Sequence, residues 1–245
     1  MADPYEVTAR YYDPAYTRLR DRSGDIEFYR TLARECGGPL LELGCGTGRV
    51  LLPIARDGVE CTGLDASPAM LEALAGKAPP PTLRTVVADM HDFHRGERFA
   101  LVFAAFRGFQ HLYTVDEQLS CLRCVSEHLR PGAPFAFDVF SPSYERLARA
   151  DGSEIEDVRF EVGGEEVVRT VALRHEAQSQ SLRVRMRYRR AGGEEVEELR
   201  LRYFFRYELE HLLVRAGFGN LTFYGGFDRR PFDHVSGETI VIAKR

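Results

Sequence analysis

The stretch Leu41-Glu42-Leu43-Gly44-Cys45-Gly46-Thr47-Gly48 decides the reading of this chain. The apolar run that leads into it, from Pro39 to Leu43, is short and closed by glycine, which reads as a buried strand. From Gly48 to Asp57 the spacing turns helical, with Gly58 as the stop. A glycine-rich turn between strand and helix lies where open α/β sheets bind ligands, at the carboxyl ends of the strands. Glycine there lets the backbone take positive φ and approach a ligand without a Cβ clash. Spacing narrows the ligand. A dinucleotide fingerprint runs G-x-G-x-x-G, whereas Gly44, Gly46 and Gly48 alternate as G-x-G-x-G.

Outward from this turn, strand and helix signals alternate. Glu60–Leu64, Thr85–Ala88, Phe99–Ala105 and Phe135–Phe140 read as further strands. Ser67, followed by Pro68, is an N-cap with proline at the first helical position. A second long helix is expected from about Thr114 to Leu129. That alternation predicts an α/β fold, a parallel sheet with helices on both faces. From about Glu154 to Arg202 the period becomes two. Leu182, Val184, Met186 and Tyr188 alternate with Arg183, Arg185, Arg187 and Arg189, and Gly163-Gly164 and Gly192-Gly193 mark hairpin turns. Three or four antiparallel strands are expected there, inserted after strand five. The arginine stripe should meet Glu194, Glu195, Glu197 and Glu198 across the sheet as ion pairs on a wet face. Helical spacing returns over Arg206–Ala216, and Leu221–Tyr224 and Thr239–Ala243 are two closing strands. The expected division is a helical cap over 1–36, a core over 37–150, the insert over 151–203 and a return to the core over 204–245.

Composition restricts the partners. The 245 residues carry a formal net charge of −4, whereas nucleic-acid binders usually hold a basic surplus. No apolar run approaches the roughly 18 residues of a membrane span. With MADPYEVTAR at the start, the expected location is the cytoplasm. The five cysteines should be free thiols, because Cys121 and Cys124 lack a second pair that would complete a zinc site. No metal is expected.

Two acidic elements follow the glycine turn in order. Asp65 ends the second strand, where a carboxylate accepts ribose hydroxyls; a turn or N-cap role is the other reading. Asp89-Met90 follows the third strand, offering an acceptor for an adenine amino group and an apolar face for its ring. Together ELGCGTG, GLDAS-x-x-ML and ADMHDF resemble the first three motifs of class I S-adenosylmethionine (SAM)-dependent methyltransferases, over about Leu40 to Phe140. The resemblance implies a Rossmann-like seven-stranded sheet with the last strand antiparallel, with SAM as cofactor and S-adenosylhomocysteine as product. Gly44, Gly46 and Gly48 would border the methionine part, Asp65 the ribose, and Asp89 with Met90 the adenine. Cys45, Ala66 and Phe106 are further candidates for this site.

Arg10-Tyr11-Tyr12-Asp13-Pro14-Ala15-Tyr16 resembles the Y-D-x-x-Y segment of small-molecule methyltransferases, among them amino-sugar N,N-dimethyltransferases and glycine-type N-methyltransferases. Phe109-Gln110-His111-Leu112 matches their histidine segment after strand four, while Phe106-Arg107-Gly108 departs from it. Tyr11, Tyr12 and Tyr16 stand as either a hydrophobic staple or a lid facing the sulfonium. Tyr12 is a candidate for cofactor binding and catalysis. His111 is the candidate base or orienting group, with a purely structural histidine as the other reading. Tyr16, Arg107, Asp138, Tyr144, Arg229 and Arg230 are candidates for the acceptor, the last two on the long loop before the final strand; a satisfied buried carboxylate is the other reading of Asp138, and a solvated loop tip that of Arg229 and Arg230. The expected function is methyl transfer to nitrogen or oxygen of a small molecule, with monomer and homodimer both open. The competing functions are a SAM-binding protein without methyl transfer and a dinucleotide-dependent oxidoreductase.

Overall fold

The computed structural model describes residues 3, 5–19 and 24–245. Seven strands form one sheet in the order β10-β11-β5-β4-β1-β2-β3. They span β1 Leu40–Leu43, β2 Cys61–Asp65, β3 Leu83–Val87, β4 Leu101–Ala104, β5 Pro134–Phe140, β10 Asn220–Tyr224 and β11 Glu238–Lys244. β1 pairs in parallel with both β2 and β4, and β11 runs antiparallel to β5 and β10. β1, β2, β4 and β5 are buried along their whole length. Side chains on both faces of these strands are therefore mostly apolar, which is why the runs are continuous rather than alternating, and the buried polar exceptions include Asp65 and Asp138.

Helices α3 Leu51–Arg56, α4 Pro68–Ala75, α5 Val115–His128 and α7 Arg206–Arg215 connect these strands. α3 begins three residues later than the helical spacing suggests, because Gly46 and Gly48 hold positive φ and delay the first helical turn. Ser67 caps α4 by accepting from Met70 N, and Thr114 with Glu117 closes a capping box on α5. Helices α1 Glu6–Leu19 and α2 Asp25–Cys36 precede the sheet, and a short α6, Tyr144–Ala148, follows β5. Alternation did not reveal α6, since one helical turn carries no period.

The insert is a four-stranded antiparallel sheet of β6 Asp151–Val162, β7 Glu165–Glu176, β8 Ser181–Arg190 and β9 Gly193–Arg202. Its outer face is the ion-paired one: Arg183 meets Glu176 at 2.6 Å, Arg185 meets Glu198 at 3.6 Å and Arg187 meets Glu194 at 2.5 Å. Glu195 and Glu197 do not join it. In β9 they alternate with Glu194 and Glu198, so the period of two turns them inward. Glu195 there takes Arg10 and Tyr11, and Glu197 accepts from Thr8 N at 2.5 Å. α1 thus lies between the insert and the core, with Tyr11 stacked on Tyr188 at 4.6 Å. All five cysteines are free, four of them buried. No described helix is long and apolar enough to cross a membrane.

Candidate active site

A cavity of about 630 Å³ opens where the carboxyl ends of β1, β2, β3 and β4 meet the inner face of the insert and α1. Its floor is the glycine turn. Gly44 holds φ +67°, and a Cβ there would lie 3.3 Å from Met90 Cε, so any side chain would intrude on the space between turn and methionine. Gly46 donates its N–H to Asp65 Oδ2 at 2.7 Å, and Ser67 donates to Asp65 Oδ1 at 2.9 Å. Burial raises the Asp65 carboxyl above its usual range while these backbone donors pull it back. Asp89 is exposed, accepts from His91 N at 3.1 Å, and stands beside half-buried Met90 at the cavity's far end.

Of the expected cofactor residues, Tyr12, Gly44, Cys45, Gly46, Asp65, Ala66, Asp89, Met90 and Phe106 all line this one cavity. Gly48 does not. A Cβ on it would strike Leu74 Cδ1 at 2.7 Å, so Gly48 keeps α4 against the turn instead of facing a ligand.

The mouth is covered by the amino-terminal segment. Asp3 accepts from Ser67 Oγ at 2.6 Å and from Ala69 N at 3.1 Å, tying the segment to the start of α4. Asp13 accepts from Thr47 Oγ1 at 2.7 Å and pairs with Lys77 at 2.5 Å, tying α1 to the glycine turn. Tyr12 and Tyr16 are in contact at 4.5 Å, and Tyr16 meets Phe106 edge-on at 5.0 Å. Arg49 reaches over Phe106 at 4.9 Å and pairs with buried Asp25 at 2.6 Å. Tyr11 packs on the insert, as a staple would, while Tyr12 and Tyr16 line the cavity.

His111 ends a 3-10 turn over Gly108–His111 and lines the cavity. Tyr5 Oη lies 2.9 Å from its Nδ1. Burial pushes the imidazole down to about 4 and the Tyr5 phenol upward. The chain reaches His111 through a strained corner, since Phe106 and Arg107 hold φ of +51° and +66°. Asp138 stabilises that corner: Oδ1 accepts from Phe106 N at 2.8 Å and from Tyr29 Oη at 2.8 Å, and Oδ2 from Arg107 N at 3.1 Å.

Asp138 is therefore fully buried behind the wall and does not face the acceptor. Tyr144 begins α6 with 88% of its surface exposed, away from the cavity. The loop with Arg229 and Arg230 does emerge on the carboxyl edge, as the sheet order requires, but β10 and β11 lie at the end of the sheet remote from β2 and β3. There Arg229 pairs with Glu35 at 2.8 Å and reaches over Phe28 of α2, while Arg230 pairs with Asp228. None of these four lines the cavity. Tyr16 and Arg107 do, Arg107 paired with Glu238 at 3.2 Å.

Sequence reasoning missed the insert's share of the wall. Val171, Leu173, Val184, Met186, Leu199 and Leu201 line it, with Asp157 and Arg169 beside them. The apolar alternation marked Val184 and Met186 as sharing one face; it carried no sign that this face borders a cavity rather than a core. Tyr5, Glu42 and Arg49 also went unnoticed, because each depends on a contact distant in sequence.

A methyltransferase-domain family model matches residues 40–132. The chain is 27% identical over 171 residues to a cypemycin N-terminal methyltransferase of a Streptomyces species, covering 69% of each. It is 33% identical over 133 residues to dTDP-3-amino-3,4,6-trideoxy-alpha-D-glucopyranose N,N-dimethyltransferase of Streptomyces venezuelae, covering 52% of this chain and about half of that protein, 55%. The solved CcbJ methyltransferase of Streptomyces caelestis is 30% identical, with a TM-score of 0.78, over 90% of this chain and 95% of that one.

Proposed function

Because the chain belongs to the class I SAM-dependent methyltransferases, we propose that its acceptor is an amine nitrogen of a small molecule. The residues fit SAM: a glycine turn at positive φ in which a Cβ on Gly44 would press on Met90, a buried carboxylate at the end of β2, and a half-buried methionine beyond β3. When bound, SAM supplies an electrophilic methyl group on a sulfonium. The chain's part is to hold the nucleophile in line at about 3 Å and to exclude water. Gly44, Gly46 and Asp65 would hold the cofactor, and Tyr12, Tyr16 and Phe106 would close over it. An aromatic face toward the sulfonium contributes roughly 0.5–2 kcal/mol of attraction.

One observation carries the choice of nitrogen: the Tyr5–His111 contact. Tyr5 Oη and His111 Nδ1 share a hydrogen bond at 2.9 Å; we assign the phenol, protonated through neutral pH, as its donor, which places the imidazole proton on Nε2. An imidazole pushed down to about 4 does not remove a proton from an alcohol. A neutral amine needs no such help, and the Nε2 proton of His111 is free to orient the acceptor. Among the other cavity carboxylates, Asp157 is committed to Arg169 at 2.6 Å. Enclosure of the cavity and the net charge of −4 favour a diffusible cytoplasmic acceptor over nucleic acid. Incubation with labelled SAM and mixed amines, alcohols and phenols, read by mass spectrometry, tests the proposal. Labelled methyl on nitrogen is expected; label confined to oxygen overturns the assignment.

A further inference from the structure

α1 covers only part of the insert's inner face. Tyr11 stacks on Tyr188, and Thr8 N donates to Glu197, so one end of β8 and β9 is packed against the helix. Beyond these contacts the face turns to the cavity. Leu173, Val184 and Leu199 form one row there across β7, β8 and β9. Val171, two residues away on β7, and Leu201, two away on β9, flank the row on either side. Val171, Leu173, Leu199 and Leu201 line the cavity and are only half-buried, so each keeps apolar surface that a ligand can reach. At the usual strand spacing a row across three strands is about 10 Å long, the reach of an alkyl group of about six carbons.

Charge points the same way. Among the described residues that line the cavity, each arginine is already paired: Arg49 with Asp25 at 2.6 Å, Arg107 with Glu238 at 3.2 Å and Arg169 with Asp157 at 2.6 Å. All three carboxylate partners are largely buried. An acceptor bearing a carboxylate or phosphate would have to draw an arginine from its partner and leave that buried charge uncompensated, which is strongly unfavourable.

We propose that the row Leu173–Val184–Leu199 is the acceptor's binding wall, and that the acceptor is an amine with an uncharged aliphatic body of about six carbons, a chain or a saturated ring. Removing apolar surface from water on both partners drives the binding. The row holds no polar side chain, so a hydroxylated or anionic body would lose its hydration there without replacement.

The inference rests on the nitrogen reading above, and the test separates the two. Ethylamine, butylamine, hexylamine and octylamine are titrated calorimetrically into the S-adenosylhomocysteine complex. These amines share nearly the same basicity, so protonation cancels from their ratios. Affinity should rise about fourfold per methylene, the worth of one buried CH₂, and level off near hexylamine. The hexylamine analogue with a terminal carboxylate in place of its methyl should bind about tenfold more weakly than hexylamine, or worse. Leu173→Thr and Leu199→Thr should each lower hexylamine affinity about tenfold, by lost methylenes and an added hydroxyl, with ethylamine and S-adenosylhomocysteine affinities unchanged. Leu199→Val, which removes a single methylene, should cost about fourfold and serves where a threonine variant does not fold. Affinity independent of chain length overturns the wall, as does a preference for the carboxylate or failure of every amine to bind. So do row variants that keep the wild-type chain-length dependence, or that lose S-adenosylhomocysteine affinity in step with hexylamine, since the row would then hold the cofactor. Failure of the nitrogen reading looks different: n-alkanols showing the same row-dependent gain, with labelled methyl on their oxygen, would keep the wall and remove the amine.

Discussion

Asp138 Oδ1 accepts the backbone N–H of Phe106 at 2.8 Å, so a side chain on β5 stabilises the strained corner that follows β4. That corner carries Phe106 into the cavity and leads on to His111. Asp138→Asn replaces one acceptor oxygen with a donor facing other donors. A loss of roughly 1–3 kcal/mol of stability is expected, with a fall in kcat larger than the rise in the SAM dissociation constant. Chemical denaturation with parallel calorimetry checks both.

Burial, with Glu238 nearby, pushes the Asp138 carboxyl up to about 6. The unfolded carboxyl titrates near 3.9, so between these values the native state holds a proton that the unfolded state has released. Its stabilising effect is complete below the unfolded pKa and is lost as pH rises through about 6. The stability difference between wild type and Asp138→Asn should therefore change steadily from pH 4 to 7, by roughly 2–3 kcal/mol. A flat difference would show that Asp138 is ionised throughout.

Asp65→Ala should weaken SAM and S-adenosylhomocysteine alike by roughly 1–3 kcal/mol, the cost of leaving buried hydroxyls unpaired. The loss has a second source, since Asp65 also holds Gly46 N and Ser67 N and thus the shape of the turn. Unchanged calorimetric affinity for both ligands would sink the assignment.

For His111, an imidazole near 4 is neutral over pH 6–9 and contributes no break in that range. His111→Ala should lower kcat by about tenfold, the worth of one orienting hydrogen bond, and His111→Asn, which retains a donor, should recover part of it. The pH profiles of both variants should parallel that of wild type. A loss of about 10²-fold or more with a changed profile would instead identify His111 as a general base.

Asp3 and residues 5–19 bridge core and insert, with Asp3 and Asp13 on the core and Thr8 and Tyr11 on the insert. Bound SAM should slow amide exchange across this segment. A chain lacking its first 19 residues should retain the core's circular dichroism and lose turnover. Normal kcat in that truncation would leave α1 as packing only.

Much of the fold was legible because its signals are local. Leu41 to Leu43 had to be a buried strand, Gly44 and Gly46 a turn with positive φ, and Ser67-Pro68 a helix start; each follows from backbone sterics or capping within a few residues. The alternation over Glu154–Arg202 likewise located three or four antiparallel strands, of which the structure has four, and put the arginines on one wet face. What stayed illegible depends on pairing at long range. Asp138 reads from sequence as either an acceptor-pocket residue or a satisfied buried carboxylate, and only the positions of Phe106, Arg107 and Tyr29 decide for the second. Arg229 and Arg230 occupy a loop on the correct edge of the sheet, yet α2 rather than the cavity receives them.

By itself the sequence determined the sheet and the insert, which follow from periodicity and short-range geometry, and its motifs pointed to the cofactor through their resemblance to the methyltransferase family. The tertiary structure alone decided which inward-facing side chains of the insert border a cavity, which carboxylates are committed to backbone donors, and that Tyr5 lies against His111. Those outcomes depend on how two sheets and a helix dock. Docking is set by the summed packing of residues more than a hundred positions apart, for which no local pattern in the chain is a proxy.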